Sequence, residues 1–246
     1  KKSNQPNSLD NLRPISLLPT ISKILERVIN KSILLFCENN NIIPDCQFDL
    51  KKKHSTVHAI NLLISTVNRC LNENEIVGAC LIDLKKALDS VWLEALIFKL
   101  DKLNMPVEML KIIYNMIFGK KFITNINNVE SKKTFEITRG LQQGTVNSPT
   151  LFNIFNSSIL NLFEVNKENS SLYAIAFADD LIILTAGHSI ELVQQKLQDL
   201  YVKIKKFYNN WNLEINPSKC ETILFRNPIN PRMNKGIRKG WRSFRI

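Results

Sequence analysis

Apolar residues recur at helical spacing in two early stretches. Ile21, Ile24, Leu25, Val28, Leu35 and Phe36 form the first, with Ser32 in register, and Val57, Ile60, Leu63, Ile64 and Val67 form the second. Each predicts an amphipathic helix with its apolar face turned to a core, and Thr20 after Pro19 is the candidate N-cap of the first. The pattern then changes to an unbroken run, Ala79-Cys80-Leu81-Ile82, which predicts a buried strand delivering Asp83 at its end. Helices are predicted near 90–102 and 107–118, separated at Asn104-Met105-Pro106, where proline interrupts the pattern. Asp89 stands just ahead of the first of these, in the place of an N-cap. Paired strands are predicted around 121–127 and 134–138, then a helix near 150–164. Two apolar runs, Leu172-Tyr173-Ala174-Ile175-Ala176 and Leu181-Ile182-Ile183-Leu184, predict a hairpin. A helix near 190–209 and short strands at 211–215 and 222–225 complete the order. Helices laid on an antiparallel sheet place the chain in the α+β class, with no internal repeat.

Three polar interruptions of this apolar framework carry the chemistry. Phe177-Ala178-Asp179-Asp180 sets two carboxylates at the hairpin turn, where like charges repel unless a cation lies between them. Asp83 ends the earlier strand and can meet that hairpin. Three carboxylates from such strands can hold two Mg²⁺ ions, which prefer oxygen ligands and also bind nucleotide phosphates. The third interruption is Arg139-Gly140-Leu141-Gln142-Gln143-Gly144-Thr145, a glycine-bearing turn before a helix that lets backbone approach a ligand.

In this order the segments resemble the reverse transcriptase domain of non-long-terminal-repeat (LINE-type) retrotransposons. The resemblance runs from Asn11 to about Phe225 and includes Asn11-Leu12-Arg13-Pro14-Ile15-Ser16-Leu17-Leu18-Pro19, the segment from Gln47 to Thr56, the Asp83 strand, the Gln142-Gln143-Gly144 turn, the Asp179-Asp180 hairpin and Asn216-Pro217-Ser218-Lys219-Cys220. It implies a right-hand polymerase: fingers over about 1–75 and a palm over about 76–225, the palm an antiparallel sheet packed by helices. It further implies an RNA template, a DNA primer, deoxynucleoside triphosphates and two Mg²⁺ ions, with Mn²⁺ as a substitute. Asp83, Asp179 and Asp180 would bind metal together with the backbone carbonyl of Leu84. Gln143 and Gly144 would pack beside the incoming nucleotide, Lys51 would contact phosphate, and Lys219 would donate a proton to pyrophosphate as a general acid.

The departures from the family pattern bear on function. Leu88 stands where the family usually has Phe or Tyr, so discrimination against ribonucleotides is expected to weaken. Asp49 and Lys53 replace glycine, with backbone strain expected where positive φ is needed, and Lys51 replaces an arginine that could grip phosphate through two bonds. The alternative reading is therefore a catalytically degenerate, nucleic-acid-binding fragment. A nuclease is remote, because the motif order supplies a template and nucleotide site rather than a seat for hydrolytic water.

Composition adds a polyanionic partner. The chain has 246 residues, a net charge of +11 and 44% hydrophobic residues, enough for a substantial core. The charge is uneven: 226–246 holds seven basic residues and no acidic one, which leaves +4 for the rest. This basic tail is either solvated and disordered or a nucleic-acid contact. Five cysteines without a Cys-x-x-Cys pair argue against disulfides or zinc, and His54 reads as a fold residue rather than a catalyst. There is no signal peptide and no apolar span of membrane length, so an intracellular protein without a membrane partner is expected, nuclear by the resemblance. Beyond Phe225 no thumb, endonuclease or ribonuclease H segment is legible. The remaining polyprotein domains of an intact element are expected partners.

Overall fold

The computed structural model describes residues 14–49, 51, 54–126, 128–164, 172–227 and 242–243. Its centre is a five-stranded antiparallel sheet of order β6-β7-β1-β8-β9, formed by β1 (Ile76–Ile82), β6 (Leu172–Phe177), β7 (Asp180–Gly187), β8 (Glu221–Phe225) and β9 (Arg242–Ser243). β1 lies between β7 and β8 and is buried along most of its length, as a strand with apolar residues on both faces must be. Alternation divides the residues between two cores. Val77, Ala79, Ile175, Leu184 and Ala186 face α2 (Thr56–Asn72), against Ala59, Val67 and Cys70. Cys80, Ile82, Ala174, Ala176, Leu181 and Ile183 join the larger core on the other side, with α7 (Ile190–Asn210), α5 (Ser148–Ser157) and α3 (Leu93–Lys102).

The register places the chemistry. Phe177 pairs with Asp180, so Ala178 and Asp179 form a two-residue turn, and Ile82 pairs with Leu181, so Asp83 leaves β1 at the same end of the sheet. Ala178 has φ +53, the left-handed first position that tight hairpin turns of the primed types demand. The segment at Gln47 adds a short parallel bridge to Ala176 on the outer edge of β6.

Several sequence expectations need correction. Thr20 is the first residue of α1 (Thr20–Asn39); Pro19 occupies the cap, whose missing N–H costs nothing there. The predicted core faces of α1 and α2 are largely exposed: Ile21, Ile24, Leu25, Val28, Leu35, Val57, Ile60 and Ile64 face outward, and α1 buries only Ile33 and Cys37. The helix expected near 150–164 breaks after Ser157 and resumes as α6 (Asn161–Glu164). Residues 211–215 form no strand beyond an isolated bridge of Ile215 to Leu84. After α4 (Val107–Ile117), the paired strands are β2 (Lys121–Phe122) with β5 (Phe135–Glu136), and a tip hairpin of β3 (Asn125–Ile126) with β4 (Val129–Glu130) lies between them. In the basic tail, Arg242–Ser243 pairs with β8; 228–241 and 244–246 lie outside the described residues.

Candidate active site

Asp83 follows β1 directly, and its loop is tied to the segment that carries Lys219. Asn216 N–H donates to the Asp83 carbonyl (2.8 Å), Lys85 N–H donates to the Glu214 carbonyl (2.8 Å), and Leu84 bridges Ile215. The loop between Asn216 and Cys220 is closed by Lys219 N–H and Cys220 N–H, which both donate to the Asn216 carbonyl. Lys219 Nζ thereby stands 3.7 Å from Asp83 Oδ2. The pair is partly exposed, so its strength is screened, yet Oδ2 itself is shielded from solvent and accepts no hydrogen bond.

Asp179 and Asp180 lie at the exposed turn across from this loop. Partial burial raises the Asp180 carboxyl above its ordinary range; the neighbouring charges of Asp179 and Asp83 push it the same way, and Lys219 opposes them. Asp180 therefore senses the other three, and the four groups together carry an excess of negative charge beside a shielded Asp83 oxygen that no hydrogen bond satisfies and only the 3.7 Å ion pair with Lys219 opposes. A divalent cation relieves both conditions, since it takes oxygen ligands and neutralises clustered carboxylates. Among the described residues no three His, Cys, Asp or Glu side chains close into a metal cage.

The glycine turn is anchored to the segment that follows Asp83 in the chain. Leu141 N–H donates to the Leu88 carbonyl (2.8 Å) and Gly140 N–H to the Val91 carbonyl (2.9 Å), while Arg139 reaches the carbonyls of Ser90 and Asn212. Two glycines are required here. Gly140 has φ +87, and a Cβ on it would sit 2.5 Å from the Asp89 carbonyl oxygen; Gly144 has φ +96, and a Cβ would meet the Ser16 carbonyl oxygen at 2.9 Å. Ser16 N–H in turn donates to the Gln143 carbonyl (2.8 Å), which joins the N-terminal segment to the turn.

Asp89 and Asp49 stand differently from their sequence assignments. Asp89 caps no helix: α3 begins at Leu93 with Trp92 at its cap, and the Asp89 carboxylate instead accepts from Gln143 Nε2 at 2.9 and 3.0 Å. Lys51 pairs with Asp45, and the adjacent Lys52 and Lys53 lie outside the described residues. Asp49 is not among the described residues with positive φ, so the strain expected of a glycine replacement is absent; the strained positions near the site are Ala178 and Lys86. Leu88 is half-buried against the larger core, in a single 3-10 turn, Leu88–Ser90.

Sequence reasoning missed a polar network behind the hairpin turn. Gln47 and Asn153 are both almost fully buried. Gln47 Nε2 donates to the Asn153 side-chain oxygen (3.3 Å) and to the Ala178 carbonyl (3.4 Å), and Asn153 Nδ2 donates to the Asp49 carbonyl (3.2 Å). The signal available was two amide side chains inside otherwise apolar or motif-bearing segments, which buried polar groups occupy only when partnered.

Comparison with known proteins agrees with this geometry. A family model described as reverse transcriptase (RNA-dependent DNA polymerase) matches residues 1–239. The RNA-directed DNA polymerase from mobile element jockey of Drosophila funebris is 32% identical over 230 residues, covering 93% of this chain and 25% of that protein. The probable RNA-directed DNA polymerase from transposon BS of Drosophila melanogaster is 27% identical over 239 residues, covering 93% of this chain and 26% of that protein. The chain thus spans about a quarter of the length of these relatives. Among solved structures, apo telomerase from Candida tropicalis superposes with a TM-score of 0.62 at 12% identity, covering 82% of this chain and 37% of that one. Telomerase from Candida albicans in complex with a fragment of telomeric RNA gives 0.61 at 14% identity, over 85% and 35%. At such identities the structural likeness speaks for the fold alone. No described helix is long and apolar enough to cross a membrane.

Proposed function

Because the chain belongs to the reverse transcriptase family, we propose that it is an RNA-directed DNA polymerase domain, adding deoxynucleotides to a DNA primer 3′-hydroxyl against an RNA template. The observation that carries this reading is the meeting of Asp83, Asp179, Asp180 and Lys219 at one end of the sheet, with Asp83 Oδ2 shielded from solvent, without a hydrogen bond and 3.7 Å from the Lys219 ammonium. Asp83, Asp179, Asp180 and the Leu84 carbonyl would hold two Mg²⁺ ions, or Mn²⁺ in their place. Ions so bound lower the pKa of the attacking hydroxyl and stabilise charge on departing pyrophosphate.

The chain's own residues do the rest. The paired register of β1, β7 and β6 keeps the carboxylates in place before substrate arrives, so no reorganisation is left for the reaction itself. Lys219, poised beside Asp83, is free to turn toward a phosphate and to supply a proton to it. Gly144 lets the turn lie flat beside the nucleotide, Gln143 faces it, and Leu88 lies under the sugar with less bulk than an aromatic ring. Lys51 would serve phosphate only after leaving Asp45. The remaining domains of a longer polyprotein, and a nuclear setting, belong to the same proposal.

The test is Mg²⁺-dependent deoxynucleotide addition to an RNA-templated DNA primer, compared with Asp179→Ala. Extension by the wild type and its loss in the variant are expected. The engaged Lys51 and the small Leu88 favour a second reading, a degenerate nucleic-acid-binding domain, which primer-template binding without extension by either protein would select.

A further inference from the structure

Asp89 has no capping duty, yet it is held with unusual care. Its backbone is pressed against Gly140, where even a Cβ would collide, and the chain on either side is stitched to the glycine turn by the Leu141 to Leu88 and Gly140 to Val91 bonds. Arg139 adds a third tie to the Ser90 carbonyl (2.9 Å). Within this frame the half-buried carboxylate receives Gln143 Nε2 on both oxygens.

The chemistry of that contact dictates more than a position. An amide side chain can present either its nitrogen or its oxygen, and the two ends look nearly alike in shape. An ionised carboxylate has no proton to give, so only the nitrogen can face it. Asp89 therefore sets the polarity of Gln143 as well as its direction: Nε2 is consumed, and Oε1 is left outward. No described residue donates to Oε1.

We propose that Asp89 is a positioning residue for nucleotide recognition, which fixes the amide of Gln143 so that the incoming nucleotide meets a hydrogen-bond acceptor rather than a donor. This rests on the polymerase reading, in which Gln143 lies beside the nucleotide. Asp89→Asn keeps the shape and the backbone frame but removes the constraint, because asparagine can give as well as accept and Gln143 can then turn over.

The experiment is a double-mutant cycle on single-nucleotide insertion, with the full chain, Asp89→Asn, Gln143→Ala and the pair. Asp89→Asn should raise KM for the nucleotide roughly tenfold, the lower end of what a charge-assisted hydrogen bond is worth. kcat should stay unchanged, since the contact serves ground state and transition state alike. In the Gln143→Ala background the same substitution should change nothing further. Equal losses in both backgrounds would make Asp89 a piece of scaffold and overturn the proposal. Affinity for the next nucleotide, measured on a complex with a dideoxy-terminated primer, runs the same cycle without bond formation. A chain that binds nucleotide but does not extend removes the polymerase reading while the affinity cycle still decides the role of Asp89; a chain that binds no nucleotide overturns both.

Discussion

Helices α1 and α5 carry comparable apolar periodicity and meet opposite fates. In α5 nine of ten residues are buried, including the polar Ser148, Thr150, Asn153, Asn156 and Ser157. In α1 two of twenty are buried, and Leu25 and Val28 stay 60% and 63% exposed. α5 lies within the larger core against α3, α1 and the Leu88–Ser90 turn, whereas α1 meets this body along one line of Ile29, Ile33, Phe36 and Cys37, with the Glu26 carboxylate accepting from Val146 N–H. An apolar stripe therefore says that a helix has a face to cover and leaves open what covers it. The sheet and the helices packed on it are closed upon themselves, with the chemistry at a rim; the outer faces of the first two helices are not covered.

The strongest way to break that contrast is to disturb the rim. Asp179→Ala should cost on the order of a thousandfold or more in extension rate, the several kcal/mol that metal-bound charge stabilisation supplies, while leaving the melting temperature near wild type. A large fall in melting temperature would mean that the turn is structural first.

Truncation of matched leucines sharpens the contrast in stability. Leu197 of α7 is fully buried against Gly78, and Leu197→Ala should destabilise by about 2–5 kcal/mol. Leu25→Ala in α1 should stay within about 0.5 kcal/mol, the ordinary range for an exposed site. Chemical denaturation of the two variants reads both, and comparable losses would show that α1 is covered in solution.

A charge inside the closed side should report its enclosure through pH. Lys99 is buried, donates to the Phe155 carbonyl and to Ser158 Oγ (2.8 Å), and lies 3.8 Å from the ring centre of Trp211. Burial lowers its pKa from 10.5 to about 7. Between those values the unfolded chain binds the extra proton, so stability rises with pH across that window and is lost again as pH falls toward 7. The gain is at most about 5 kcal/mol, at about 1.4 kcal/mol for each unit between those values, and the Trp211 face and the Phe155 carbonyl, which favour the charged form, reduce it. Lys99→Met should flatten the slope between pH 7 and 10 in denaturation measurements; an unchanged slope assigns it to other groups.

The smallest effect is expected at Lys51, on the segment that follows α1. Lys51→Ala breaks an ion pair whose Asp45 partner is fully exposed, and should leave stability unchanged in thermal melts. A change in primer-template affinity at low salt would instead show Lys51 reaching phosphate.

Much of the sheet was legible because strands here are short apolar runs bounded by turn or acidic residues. The hairpin that carries Asp179 and Asp180 and the strand that delivers Asp83 needed only period and punctuation. Helix faces were harder: Ile24 and Leu25 satisfy a core pattern while facing outward, since periodicity records amphipathicity and not the identity of the covering surface. Asp89 misled because an aspartate ahead of a helical run is the usual cap, and only the tertiary arrangement brings Gln143 to it, 54 residues away in sequence. Residues 211–215 look strand-like in composition, but α7 runs to Asn210, and the turn that follows leaves only Ile215 to pair. Gln47 and Asn153 were invisible for the same reason as Asp89, being amides whose partners lie more than a hundred residues apart.

The bridge from Gln47 to Ala176 sets a limit on modularity. Cys46 and Phe48 share backbone bonds with Ala176, Gln47 holds the carbonyl of Ala178, and Asn153 holds that of Asp49. A chimera joined between α2 and β1, grafting the first 75 residues of a relative onto this sheet, would carry the incoming amide to a foreign turn and strand the resident one. The unit that can be exchanged is therefore a set of scattered residues on three segments, and recombination that respects only sequence order would break it at the turn that bears the aspartates.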